Sequence, residues 1–187
     1  MDSTAAETKT TNEFITDTND GVERKPTSRR ADVLADRLEE GAALLAAFAE
    51  TLSDEEWSLP VSATDRRTIG VIVHHVASMY PIEIGAVKAI AGGNPVTDVT
   101  WEVIAQINAQ HAADNAQVTR AEALGLLRQN SIDAATVIRE LADDELDTAA
   151  SFSLSFGAPM TAQFVIEDHP LRHPWHHLYR IRAAVGR

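Results

Sequence analysis

Between residues 30 and 187, apolar side chains recur every three or four positions in long runs, the spacing of helices that bury one face. Val33, Leu34, Leu38, Leu44, Leu45 and Phe48 trace such a stripe, with alanines filling much of the remainder, and predict a first helix over 30–52. Ser53-Asp-Glu-Glu56 is a Ser-x-x-Glu capping pattern able to open a short turn carrying Trp57, and Pro60 stops any continuation. A second helix is expected from an N-cap at Thr64 or Asp65 to Ile90, ahead of Gly92-Gly93, with a kink or loosened turn at Pro81. A third begins near Thr100 and reaches about Leu141, with a break at Thr119-Arg-Ala-Glu122, a second capping pattern. Between Leu146 and Pro159 the alternation Ser-Phe-Ser-Leu-Ser-Phe-Gly reads as a short strand or an extended loop. The last segment spans Thr161 to about Val185. Pro170 and Pro174 fit the first turn of a helix better than its middle, so a bend or restart near His169 is expected.

Long helical segments joined by modest loops predict an all-α four-helix bundle, with one short extended segment before the last helix. Residues 1–28 depart from this pattern. They are rich in Thr, Asp, Glu and Ser, nearly empty of apolar residues, and read as a disordered tail ahead of a single domain over 29–187. They also lack the basic start and apolar run of a signal peptide.

Sixteen basic against 28 acidic residues give a net charge of −12, a field that repels nucleic acid and anionic lipid. No run of about 18 consecutive apolar residues is available to span a membrane. The chain has no cysteine, which removes disulfides, thiolate metal ligands and cysteine nucleophiles together. The cytoplasm is the default compartment for such a chain.

The chemistry concentrates in seven histidines: His74, His75, His111, His169, His173, His176 and His177. Imidazole is the commonest protein metal ligand. His173 and His177, like His169 and His173, have the i, i+4 spacing that puts two rings on one helical face. At about 100° per residue, His169 and His176 share a stripe with Arg172, Arg180 and Ala183, which suggests solvent. His173 and His177 align with Ile166, Pro170, Ile181 and Ala184, a side able to face the bundle. On the second helix His75 lies on the flank of the apolar face, between Ile72, Met79 and Ile82. His74 points further away, beside Arg67, Gly70, Ser78 and Pro81. His111 reads as a surface residue. The expected site is therefore His75, His173 and His177, a three-histidine set with open positions that suits catalysis better than a closed structural site. It would take Zn²⁺, Ni²⁺ or Fe²⁺.

Thr68-Ile-Gly-Val-Ile-Val-His-His75-Val-Ala77 resembles the helix-two motif of DinB-like proteins and their mycothiol-dependent relatives, including the maleylpyruvate isomerases. His173-Pro-Trp-His-His177-Leu-Tyr-Arg-Ile181 resembles the closing H-x-x-H-H-x-x-x-I of the same family. Leu52-Ser-Asp-Glu-Glu-Trp57 is similar to its turn after helix one, and Ile107-Asn108-Ala109 to the third helix of the mycothiol-associated branch. The likeness extends loosely over 30–187. It departs from the family at Arg67, where a Trp is usual, and at His173, where some isomerases carry a carboxylate. The resemblance implies a four-helix bundle, a divalent metal held by His75, His173 and His177, and frequently a homodimer.

Three functions follow as expectations. The first is a metal-dependent S-transferase that activates a low-molecular-weight thiol, of mycothiol or bacillithiol type, against an electrophilic small molecule. The second is a metal-dependent hydrolase with water as nucleophile. Its base would be Glu83, Asp168 or Glu167; Glu83 lies about two turns beyond His75 at a rotation of only about 80°. The third is a non-catalytic, stress-related dimer binding a metal or small ligand, with Trp101, Trp175 and Phe164 as candidate pocket aromatics.

Overall fold

Ser28 accepts a hydrogen bond on its Oγ from the Ala31 amide at 3.1 Å, and this N-cap opens helix α1 (Arg29–Glu50). The computed structural model describes residues 28–187, so the tail expected over 1–28 lies outside the described residues apart from this cap. A capping box formed at both halves by Ser53 and Glu56 opens α2 (Asp54–Trp57), and Thr68 caps α3 (Ile69–Ala91). Thr100 caps α4 (Trp101–Asp114); Thr119 and Glu122 form the second capping box ahead of α5 (Arg120–Arg139). After the short α6 (Asp143–Asp147), strands β1 (Ala149–Ser151) and β2 (Pro159–Thr161) pair antiparallel, with Ala150 opposite Met160. Thr161 then caps α7 (Ala162–Ile166), which runs through a π turn (Glu167–Leu171) into α8 (Arg172–Val185).

The structure corrects the sequence reading at the start of the second long helix. Helix α3 starts at Thr68, not at Thr64 or Asp65. The Ser62 Oγ takes the Asp65 amide at 2.9 Å, closing a turn, and the Asp65 carboxylate is spent on arginines. Pro81 sits within a continuous α3. Its missing N–H frees the Ala77 carbonyl, and Asn130 on α5 donates its Nδ2–H to that oxygen at 2.9 Å. Pro174 lies in the first turn of α8, and the bend or restart expected near His169 takes the form of a π turn. Both prolines sit inside one continuous helical run, and the π turn accommodates Pro170, which has no N–H to place.

The four long elements form a ring in which α1 touches α5 and α8, while α3 touches α5 and the α7–α8 run. Cross-element pairs fix their directions. Arg139, at the end of α5, holds Asp36 and Glu39 at 2.6 and 2.7 Å near the start of α1, so α1 and α5 are antiparallel. Arg30 meets Gln163 at the start of the last run, and Phe48 meets Arg182 at its end, so α1 and α8 are parallel. His173 meets Glu83 while Arg180 meets Asp65 just ahead of α3, so α3 and α8 are antiparallel. The order is up, down, down, up, with α3 and α5 side by side in the same direction.

Leu38, Leu45, Ile69, Ile72, Tyr80, Leu127, Ile138, Ile166 and Ile181 are fully buried between these helices. Each contributes about 1.5–3 kcal/mol through the apolar surface it removes from water. Two glycines set the closeness of the packing. A Cβ on Gly41 would stand 2.5 Å from Trp175 Nε1, and one on Gly70 would overlap the Trp57 indole. Trp175 therefore belongs to the α1–α8 contact. α3 is long and apolar enough to cross a membrane by composition, but most of its residues are buried among the other helices.

Candidate metal centre

His75 sits in the middle of α3, where the apolar neighbours Ile72, Val76 and Met79 turn its face into the bundle. His173 and His177 lie one turn apart on α8. His75 and His177 are each 5% exposed, and one ring nitrogen from each of the three histidines lies within 4.8 Å of the others. The Nε2 atoms of His75 and His173 face each other at 3.2 Å. Two ligands on one tetrahedral ion with bonds of about 2.0–2.1 Å stand about 3.3 Å apart, so the spacing fits a shared metal. Among the described residues this is the group of histidine, cysteine and acidic side chains so arranged.

The protonation state also fits. Burial, reinforced by the charges of His173 and Arg67, pushes His75 down to about 2. Burial first, then His173 and His75, holds His177 well below the ordinary imidazole range. Both rings are neutral at physiological pH, the form that ligates. Their Nδ1 atoms are buried without partners. Three imidazole nitrogen donors and no thiolate suit Zn²⁺, Ni²⁺ or Fe²⁺.

Glu83, one of the expected bases, reaches the site by another route. Its Oε1 lies 2.9 Å from His173 Nδ1, and both side chains are largely buried. A carboxylate on the far nitrogen of a ligating imidazole fixes the ring's orientation and raises its basicity. Asp168 lines the same cavity as the histidines and meets Arg172 at 3.3 Å. Glu167 does not line that cavity; it accepts from Gln163 Nε2 at 3.0 Å.

The cavity itself has a volume of about 570 Å³. The three histidines form part of its wall, Met79, Ile82, Ile104, Phe152 and Val165 give it an apolar side, and Trp101 stands half-exposed against it. Of the three aromatics expected in a pocket only Trp101 is there. Trp175 packs on Gly41 and Phe164 lies on the surface, while Phe152, from the loop after β1, takes the inner position.

His169, His74, His111 and Arg180 lie further inward than the sequence pattern suggests, whereas His176 is exposed as expected. His169 faces the cavity, edge-on to Phe152 at 5.2 Å, because the π turn shifts the helical phase there. His176 is exposed at the cavity rim. His74 and His111 are half-buried rather than at the surface, with His74 Nδ1 and His111 Nε2 hydrogen-bonded at 2.8 Å and His111 in edge contact with His75. Arg180 turns inward to Asp65, and Arg67 and Asn108 line the cavity too; the sequence reading gave none of these three a role in the site.

A helical bundle with a buried three-histidine cluster opening on one large cavity defines the class, and sequence comparison names it. The pattern of the DinB superfamily matches residues 37–181, and the chain belongs to that superfamily. Its fold is similar to that of YfiT from Bacillus subtilis, described as a probable metal-dependent hydrolase with an unusual four-helix bundle topology. That likeness has a TM-score of 0.63 at 18% identity, and covers 87% of this chain and 89% of YfiT. No curated protein matches the chain in sequence.

Proposed function

We propose that this chain is a divalent-metal-dependent hydrolase acting on a small substrate with a substantial apolar part. The observation that carries the reading is the convergence of three imidazoles, two of them buried and neutral, on the wall of a cavity of about 570 Å³, within the range of small-molecule sites. A bound divalent ion supplies Lewis acidity that makes water nucleophilic at neutral pH and polarises a carbonyl oxygen. His75, His173 and His177 would hold it, leaving its other positions toward the cavity. Glu83 keeps His173 in the ligating orientation. Asp168, on the cavity wall and paired with Arg172 at 3.3 Å, is the carboxylate placed to take a proton from the attacking group. Met79, Ile82 and Phe152 seat the apolar part of the substrate and exclude water. The likeness in fold to YfiT, described as a probable metal-dependent hydrolase, supports the same reading.

A second reading, thiol S-transfer, draws on the likeness to the mycothiol-dependent branch and on a cavity large enough for a small thiol beside an electrophile. In that reaction the ion would hold the thiol as thiolate, and no base would be required.

Elemental analysis of tag-free protein tests the shared premise. Near-stoichiometric Zn, Ni or Fe is expected in the wild type and its loss in His75→Ala and His177→Ala. A wild type that neither carries nor takes up these ions overturns both readings. With the metal in place, a panel of p-nitrophenyl esters, and separately chlorodinitrobenzene with small thiols, distinguishes them. Histidine-dependent ester cleavage supports hydrolysis, and thiol consumption without it supports transfer.

A further inference from the structure

The cavity is electrically polarised along its length. Helices α3 and α8 run antiparallel, so Arg67 and Arg180 meet at one end, the three histidines lie in the middle, and Glu83 and Asp168 lie at the other end. Five lining residues are arginines or acidic side chains: Arg67, Arg172, Arg180, Glu83 and Asp168. Arg172 is matched by Asp168 at 3.3 Å, and Glu83 stands against His173 at 2.9 Å. Arg67 and Arg180 have one carboxylate between them. Asp65 accepts from Arg67 Nε and Nη2 at 2.9 and 2.8 Å and from Arg180 Nη2 at 3.0 Å.

Asp65 does not itself line the cavity, so it stands behind the guanidinium groups and presents them to the interior. One positive charge is left over in a chain whose net charge is −12. The hydrogen bonding is incomplete as well. Arg67 Nη1 is buried without a partner, and Arg180 gives Asp65 only one of its nitrogens. The two cationic side chains are largely buried, with 22% and 26% of their surfaces exposed. A guanidinium in such a setting favours a planar anion that accepts two parallel N–H bonds.

We propose that the arginine end of the cavity is a carboxylate subsite, and that the substrate of this chain is a carboxylic acid with an apolar body. Its carboxylate docks on Arg180 and the Arg67 charge, and its apolar body lies along Ile82, Ile104 and Phe152. The bond to be broken then falls over the histidines between the two. This inference rests on the hydrolase reading for what happens at the histidines, but the subsite stands on the arginines alone.

Calorimetric binding of 4-phenylbutyrate and its uncharged analogue 4-phenylbutanamide to the zinc-loaded full-length chain tests it, with an EDTA-treated arm beside it. The acid is expected to bind about tenfold tighter than the amide, as a charge-assisted hydrogen-bonded pair allows. The preference should persist after EDTA and fall to within about twofold in both Arg67→Gln and Arg180→Gln, with zinc content unchanged. Arg67→Lys should retain part of it. The two glutamine variants sit on different elements, so misfolding of one leaves the other informative. Equal binding of acid and amide overturns the subsite. So does a preference that survives in both glutamine variants, or one that EDTA abolishes, since the ion would then be taking the carboxylate. Failure to take up zinc would sink the hydrolase reading instead, while the acid–amide comparison on the metal-free chain still decides the subsite.

Discussion

At the scale of single residues, Glu83 shows how position and role can separate. Its rotation relative to His75 places it near the site, yet its carboxylate is engaged with His173 Nδ1 at 2.9 Å. Glu83→Gln should therefore weaken zinc binding by about 10–100-fold, measured by competition with a chromophoric chelator. Unchanged affinity would return Glu83 to the role of base. The three ligating histidines were readable in the sequence because each lies inside a regular helix, where a rotation of about 100° per residue holds from one turn to the next. His169 was not, because it lies within a π turn, where the regular rotation of the helix that carries His173 does not hold. Arg180 was misread as a solvent residue for a different reason. What turns it inward is Asp65, 115 positions away, and no local pattern announces such a partner.

Among elements, the clearest lesson is α3, which carries a proline in mid-helix and stays continuous. The orphaned Ala77 carbonyl is satisfied by Asn130 from α5. Asn130→Ala should leave that buried oxygen unpaired and cost about 1–3 kcal/mol, read as a lower urea midpoint with unchanged slope. A neutral outcome would mean that water reaches the carbonyl in its place. Helix starts at Ser53, Thr100 and Thr119 were readable from their capping residues, which act over three positions. The start of α3 was not. Thr64 and Asp65 are equally good caps in isolation, and the bridge between Pro60 and Thr68 moves the first turn to Ile69.

For the molecule as a whole, burying neutral imidazoles makes metal-free stability depend on pH. Unfolded, His75 and His177 titrate near the usual value of about 6.5. Folded, His75 is pushed down to about 2 and His177 is also strongly lowered. Below about 6.5 the unfolded chain binds more protons than the folded one, so the stability present above that pH is lost progressively as pH falls toward the folded values. The Asp65 carboxylate, held low by Arg67 and Arg180, adds a loss of the same sign at more acid pH. The urea midpoint of EDTA-treated protein should fall from pH 8 to pH 5, and fall less in His75→Gln. A flat profile would show that the rings are not neutral through burial. The number of long helices was readable in the sequence, but not their directions. Those are set by contacts such as Arg139 with Glu39 and Arg180 with Asp65, each joining residues 100 or more positions apart.

Because α3 and α5 point the same way, the chain between them has to travel back along the bundle before α5 can begin. That return path, residues 92–119, contains α4, which contributes Trp101, Ile104 and Asn108 to the cavity and no buried residue to the core. The outer wall is thus a connector laid across the site, and near its far end His111 meets His74 and His75. Substitutions at Trp101 and Ile104, away from that contact, can therefore retune what enters without touching what holds the ion.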